Sequence, residues 1–237
     1  MKIIHHPDSA TLVSYAAGSL DEAFATLVAA HIASCDACRA ELQRIESVGG
    51  ALLETVDAAP ISPSTLERTM SLLDTAEPEA AKDKLDEPAV PQNAKPNVPS
   101  PLARLLKGGL DDIAWKTVAP GVAKHSLPVS KAARSTLTLL RIAPGMKVPD
   151  HGHGGMELTL VLKGSYNDVF GRFGPGDIAD LDEHVEHQPV VDSPEACICL
   201  VATEAPTRFK GILGRLFQPI TCGVAKNVHR LGQVREL

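Results

Sequence analysis

The segment AEPEAAKDKLDEPAVPQNAKPNVPSP, residues 76–101, constrains the fold more than any other stretch. It is rich in proline, alanine and charge and has almost no large apolar residue. Such a stretch cannot fill a core and reads as a partly extended linker. Before it, apolar residues recur at helical spacing; after it, they sit in short β-rich runs separated by Gly, Pro and Asp. A chain of 237 residues with 44% apolar side chains can supply two small cores. The expectation is a multidomain α + β protein. A small helical domain occupies 1–75, a Pro-rich linker 76–101, a β-barrel domain 102–222 and a tail 223–237.

Four short helices are expected in the first part. PDSATLVSYAAG sets Leu12, Val13, Tyr15 and Ala16 on one face, with Asp8 or Ser9 as N-cap and Gly18 as the stop. LDEAFATLVAAHIA follows, capped by Asp21, with Phe24, Leu27, Val28 and Ile32 at helical spacing. A third helix runs from Cys35 to about Val56, interrupted at Gly49-Gly50. In SPSTLERTMSLLDT, Ser64 and Glu67 form a capping box ahead of a Leu66/Met70/Leu73 stripe. Helices this short bury little, so a metal staple would be physically welcome.

Residues 31–40, HIASCDACRA, carry the residues for one: His31, Cys35 and Cys38. A continuous helix would put all three on one face; alternatively His31 ends one helix and the cysteines begin the next. Structural zinc takes four ligands in a tetrahedron, and the N-terminal HHPD offers the fourth, His6, with His5 as competitor. No secretory h-region follows Met1-Lys2, and no apolar run approaches the ~20 residues that span a bilayer. The chain is therefore expected in the cytoplasm, where a close cysteine pair favours metal over disulfide. This arrangement resembles the zinc-binding anti-sigma domain, over residues 1–75. The resemblance implies that His6, His31, Cys35 and Cys38 hold Zn2+. It further implies that the helical domain wraps an extracytoplasmic-function-type (sigma-E-like) sigma factor and keeps it from core RNA polymerase. Leu66, Met70 and Leu73 are the candidate sigma-contacting surface.

Charge agrees with that role. Residues 1–75 contain four basic and ten acidic side chains, so the entire formal charge of −6 lies there. Such a domain repels DNA phosphates but suits a basic protein surface. Aromatic residues make up 3% of the chain, with one Trp, which argues against a surface that stacks bases. No direct nucleic-acid or membrane partner is expected.

The second part contains GMKVPDHGHGGMELTLVLKG, residues 145–164. His151 and His153, two apart on a strand, face the same way, and a turn at Gly154-Gly155 lets Glu157 return to that face. The pattern G-x5-H-x-H-x3-E-x6-G is similar to the first motif of the cupin family, which implies a jelly-roll β-barrel holding a metal. Pro175-Gly176-Asp177 resembles the start of the second motif, whose late histidine is then His187, with His184 as runner-up. Three imidazoles and a carboxylate suit Zn2+ or another divalent transition metal. Lys163, Tyr166 and Asp168 could line the pocket. Cys197 and Cys199 point to one face of a strand as small core residues or a redox element. Cys222, His125 and His229 read as structural or exposed.

Together the two halves resemble the ChrR-type anti-sigma factors. The resemblance implies a transcriptional regulator, not an enzyme, that binds one sigma factor and releases it in response to singlet oxygen or oxidative stress sensed through the cupin domain. The alternative is a cupin metalloenzyme of dioxygenase or isomerase type with a structural zinc or interaction domain. The sigma factor, its regulon, the barrel metal, any small ligand of the barrel and the sensing chemistry are not written in the sequence.

Overall fold

Asp8 starts the first helix by accepting the Ala10 backbone N–H at 2.7 Å, satisfying a donor of the first turn. In the computed structural model, which describes residues 2–75, 98–106 and 108–209, that helix is α1, Ser9–Ala16. Gly18 stops it at φ +66°, the left-handed conformation glycine tolerates best. Then follow α2 (Glu22–Ile32), α3 (Asp36–Glu54), α4 (Thr65–Thr75) and α5 (Ser100–Leu106). Two expectations change. The four helices expected in 1–75 are present, but Ser100-Pro101, expected to end the linker, opens a fifth among the described residues. Gly49-Gly50 does not interrupt α3: both lie on an exposed surface where helical glycine costs about 1 kcal/mol each without breaking the ladder. Linker residues 76–97 and the tail lie outside the described residues.

Twelve strands follow among the described residues: β1 (Lys116–Ala119), β2 (Val122–Leu127), β3 (Thr136–Ile142), β4 (His151–Gly152), β5 (Glu157–Lys163) and β6 (Tyr166–Asp168). The rest are β7 (Gly171–Phe173), β8 (Ile178–Leu181), β9 (Glu186–His187), β10 (Val190–Val191), β11 (Cys197–Thr203) and β12 (Arg208–Phe209). An antiparallel sheet runs β1-β2-β3-β11-β5-β8, and two small sheets, β10-β6-β7 and β12-β4-β9, complete the barrel. Strand β12 is the last described element, and residues beyond 209 are not described.

The centre of the large sheet, at β11 and β5, is buried on both faces. One face looks into the barrel through Val161, Cys197, Cys199 and Val201, which share a core with Tyr166 and Phe173 of the β10-β6-β7 sheet. The other packs Leu139, Leu158, Leu160 and Leu200 against Phe24, Leu27 and Val28 of α2. Strand β11, CICLVAT, is accordingly apolar almost throughout, as expected of a strand covered on both sides. Each fully buried α2 side chain contributes on the order of 2 kcal/mol. The helical part and the barrel thus share a core, and Leu102 and Ala103 of α5 are buried beside it.

Asp21 ties the same junction. It occupies the N-cap position of α2 but makes no side-chain cap bond there. Its carboxylate instead accepts the backbone N–H of Arg134 at 3.0 Å and of Ser135 at 3.3 Å, and the Ser135 hydroxyl. Burial pulls its pKa upward, but those hydrogen bonds outweigh burial and hold it below the ordinary carboxylate value. A lowered folded-state pKa gives stability that is present above the unfolded value and lost as pH falls through the folded one. Asp21→Ala is expected to cost about 2 kcal/mol at neutral pH. The stability difference between parent and variant, measured by denaturant unfolding, should be constant above about pH 5 and shrink toward pH 3.

Candidate metal centres

His6, His31, Cys35 and Cys38 converge at the junction of α2 and α3. Helix α2 ends at Ile32, Cys35 is the N-cap residue of α3, and Cys38 lies one turn on. Of the two arrangements open to the H-x3-C-x2-C run, the chain adopts the one in which His31 closes one helix and the cysteines open the next. The ligand atoms all lie within 4.8 Å of one another. His6 Nδ1 is 3.4 Å from Cys35 Sγ and 3.3 Å from Cys38 Sγ, and His31 Nε2 is 3.3 Å from Cys38 Sγ. A tetrahedron with Zn–S of ~2.3 Å and Zn–N of ~2.0 Å has N···S edges of about 3.5 Å, so the spacing fits a shared cation.

Electrostatics points the same way. His31 donates its Nδ1–H to the Gly176 carbonyl at 2.8 Å, which leaves the Nε2 lone pair facing the sulfurs. Burial holds the His31 pKa below its usual value, favouring the neutral, ligating form. Burial, then the hydrogen bond and charge of Cys35, push the Cys38 thiol up to about 12. Two thiolates at this distance are sustained by a cation between them. His5 does not join the group: its ring stacks on Phe173 at 4.1 Å and its Nε2 lies 3.2 Å from the Arg172 carbonyl.

The second group lies in the barrel: His151 on β4, His153 just after it, Glu157 at the start of β5 and His187 on β9. All four are buried. The register places His151 directly opposite His187. His151 donates Nδ1–H to the Pro149 carbonyl at 2.8 Å, and His187 donates Nδ1–H to Asp168 Oδ2 at 3.0 Å. Both tautomers are thereby fixed with the lone pair on Nε2, yet the two Nε2 atoms stand 3.1 Å apart. Two lone pairs at that distance repel unless both donate to one cation. His153 adds to this: both its ring nitrogens are buried without a hydrogen bond among the described residues, although Nδ1 stands 3.2 Å from Glu157 Oε2. Burial, then the charge of His187, lowers His151 to about 4, so it is a neutral ligand at physiological pH. Burial pulls the Glu157 pKa upward, but the neighbouring His153, His151 and His187 outweigh it and hold the carboxylate ionised.

His184 stays outside this group, largely exposed beside Glu183. Asp168 has a sharper role than a pocket wall. Its carboxylate, with no exposed side-chain surface, orients His187 as outer-shell carboxylates orient metal-bound histidines. Nothing in the sequence spacing marked that role. Asp168→Ala is expected to weaken metal binding in the barrel about 10- to 100-fold in chelator competition.

The remaining candidates fall elsewhere. Lys163 pairs with Glu195 at 3.1 Å. Tyr166 stacks on Phe173 in the barrel core. Cys197 and Cys199 are buried with sulfurs 3.5 Å apart, outside the metal group. His125 bonds the Ala114 carbonyl, while Cys222 and His229 lie outside the described residues. Leu66, Met70 and Leu73 are exposed on α4.

The chain matches known proteins over both parts. The ChrR cupin-like domain family matches residues 108–206. Anti-sigma-E factor ChrR of Cereibacter sphaeroides is 42% identical over 219 residues, which is 92% of this chain and 98% of that protein. The crystal structure of Rhodobacter sphaeroides SigE in complex with the anti-sigma ChrR matches with a TM-score of 0.70 and 40% identity. That match covers 85% of this chain and 100% of the matched one.

Proposed function

The chain belongs to the family of ChrR anti-sigma factors, and from that membership we propose that it sequesters an extracytoplasmic-function-type sigma factor, one per chain. The observation that carries this reading is an apolar surface that stands exposed among the described residues. Leu66, Met70 and Leu73 form a stripe on α4 that is 69%, 50% and 65% exposed, and Leu52 and Leu53 at the end of α3 are exposed as well. The described side chains of α4 are half-buried only at its first residue, Thr65. An amphipathic helix normally buries its apolar face, and a patch of this kind marks a protein interface. The acidic excess of residues 1–75 supports a basic partner. The solved relative is itself a complex with a sigma factor.

The two His/Cys donor pairs suit Zn2+ as a structural staple for the partner-binding helices. The barrel centre suits Zn2+ or another divalent transition metal, and we read it as the element through which singlet oxygen or related stress triggers release. The regulatory relative favours this reading over a cupin metalloenzyme. No helix among the described residues is long and apolar enough to cross a membrane, which accords with a cytoplasmic site of action.

Co-expression with candidate sigma factors tests the proposal. The tagged chain should retain one sigma factor. Leu66→Asp, Met70→Asp and Leu73→Asp together should weaken that complex by at least about 100-fold, because each buried anchor in an interface contributes ~1–2 kcal/mol or more. The fold should be unchanged, since all three side chains are exposed. Retention of full affinity by the triple variant would move the interface elsewhere.

A further inference from the structure

The His/Cys centre draws half of its positioning from the barrel. Cys35 and Cys38 are set by the α2–α3 junction, whereas both histidines are held by the turn Pro175-Gly176-Asp177. His31 is oriented by the Gly176 carbonyl. His6 is the last residue of a segment whose two preceding amides, Ile4 N–H and His5 N–H, both donate to Asp177 Oδ1 at 2.8 and 2.9 Å. The other oxygen, Oδ2, accepts the Gly174 N–H at 2.8 Å, so the buried carboxylate is fully engaged. The Ile178 N–H then donates to the His5 carbonyl at 3.2 Å, joining the N-terminal segment to the edge strand β8. Asp180, two residues on, accepts the Asp8 N–H and the Thr11 hydroxyl at 2.9 and 2.7 Å.

Gly176 itself permits this approach. It adopts φ +91°, and a Cβ built there would lie 2.8 Å from the Ile3 side chain. On its other side the turn is fixed to β5, the strand that begins with Glu157: Gly176 N–H donates to the Val161 carbonyl and Val161 N–H to the Asp177 carbonyl, at 2.8 and 3.0 Å. The turn therefore lies between the two centres and is bonded toward both.

We propose that the Pro175-Gly176-Asp177 turn is the outer shell of the His/Cys centre, with Asp177 the positioning residue for His6 and the Gly176 carbonyl for His31. This rests on the reading that the His/Cys group binds metal. Metal affinity in the helical part then depends on the barrel, and any rearrangement of β5 or β8 reaches the partner-binding helices through the ligands of their staple. Outer-shell partners fix ring orientation and raise ligand basicity, and their loss costs metal affinity without removing a ligand.

The test uses the full chain and cobalt(II) as the probe. The sulfur-to-cobalt charge-transfer absorption that Cys35→Ser abolishes reports the cysteine-containing centre, because the four donors of the barrel group are nitrogen and oxygen; displacement by zinc then gives the zinc affinity. Two variants approach the contact from opposite sides. Asp177→Ala removes the acceptor and is expected to lower affinity about 100-fold. Ile4→Pro removes one donor at a position 58% exposed, without touching the barrel, and is expected to lower affinity about 10-fold. The Ile4→Pro protein should keep the parent's thermal unfolding of the barrel while its cobalt ligand-field bands shift. If Asp177→Ala destabilises the barrel, Ile4→Pro alone decides. Affinity within twofold of the parent and an unshifted spectrum in Ile4→Pro would overturn the proposal. Absence of the sulfur band in the parent would overturn the metal reading, and the proposal with it.

Discussion

Replacing Cys35 with serine is expected to abolish metal binding at the His/Cys centre and sigma binding together. The four donors lie within 4.8 Å of each other, and a hydroxyl is a far poorer zinc ligand than a thiolate. Structural zinc contributes on the order of 10 kcal/mol or more to the folding of small domains, which exceeds the net stability of most such domains. Helices α1 and α3 bury few residues of their own: Thr11 and Leu12 in α1, Cys38 in α3. Helix α2 should survive, because Phe24, Leu27 and Val28 are anchored on the barrel sheet. The variant should therefore keep its β-rich circular dichroism, lose part of its helical signal and lose the sulfur–cobalt band. A metal-free Cys35→Ser protein that inhibits its sigma factor fully would refute a structural role for this centre.

Replacing the barrel donors is expected to do the reverse. Alanine at His151 and His187 removes two lone pairs that face each other at 3.1 Å, relieving the repulsion that a cation otherwise offsets. Metal binding in the barrel should be lost. Sigma inhibition should persist, because the exposed stripe on α4 is untouched. Even a 100-fold weaker His/Cys centre would remain occupied, given how tightly such sites bind zinc. Induction by singlet oxygen should disappear. A reporter strain carrying a promoter of the released sigma factor reads both effects: low basal expression, and no rise on illumination with a photosensitiser. High basal expression would contradict the separation of staple and sensor, and a normal rise would remove the barrel metal from sensing.

The sequence carried the local chemistry further than the assembly. His31, Cys35 and Cys38 were legible because ligand spacing is set by one helix–turn–helix step. His151, His153 and Glu157 were legible because strand geometry fixes which neighbours share a face. His6 over His5, and His187 over His184, were ambiguous for a physical reason. Each choice depends on a contact far along the chain: His5 stacks on Phe173, and His187 pairs across β4–β9 with His151. The docking of α2 on the barrel is not spelled out by local pattern, although β11 carries a signal in its unbroken apolar run, which a strand with one wet face does not need. Asp21, Asp168 and Asp177 look like ordinary cap, strand and turn residues. Their partners, Ser135, His187 and the amides of Ile4 and His5, are set only by tertiary structure.

Whether the chain withholds a sigma factor from polymerase is read by mixing the metal-loaded full chain with a cognate extracytoplasmic-function-type sigma factor and measuring that factor's binding to core RNA polymerase. A one-to-one complex is expected, with polymerase binding lost as the chain reaches equimolar amount and Leu66→Asp/Met70→Asp/Leu73→Asp failing to compete. Undiminished polymerase binding in the presence of excess chain would contradict it.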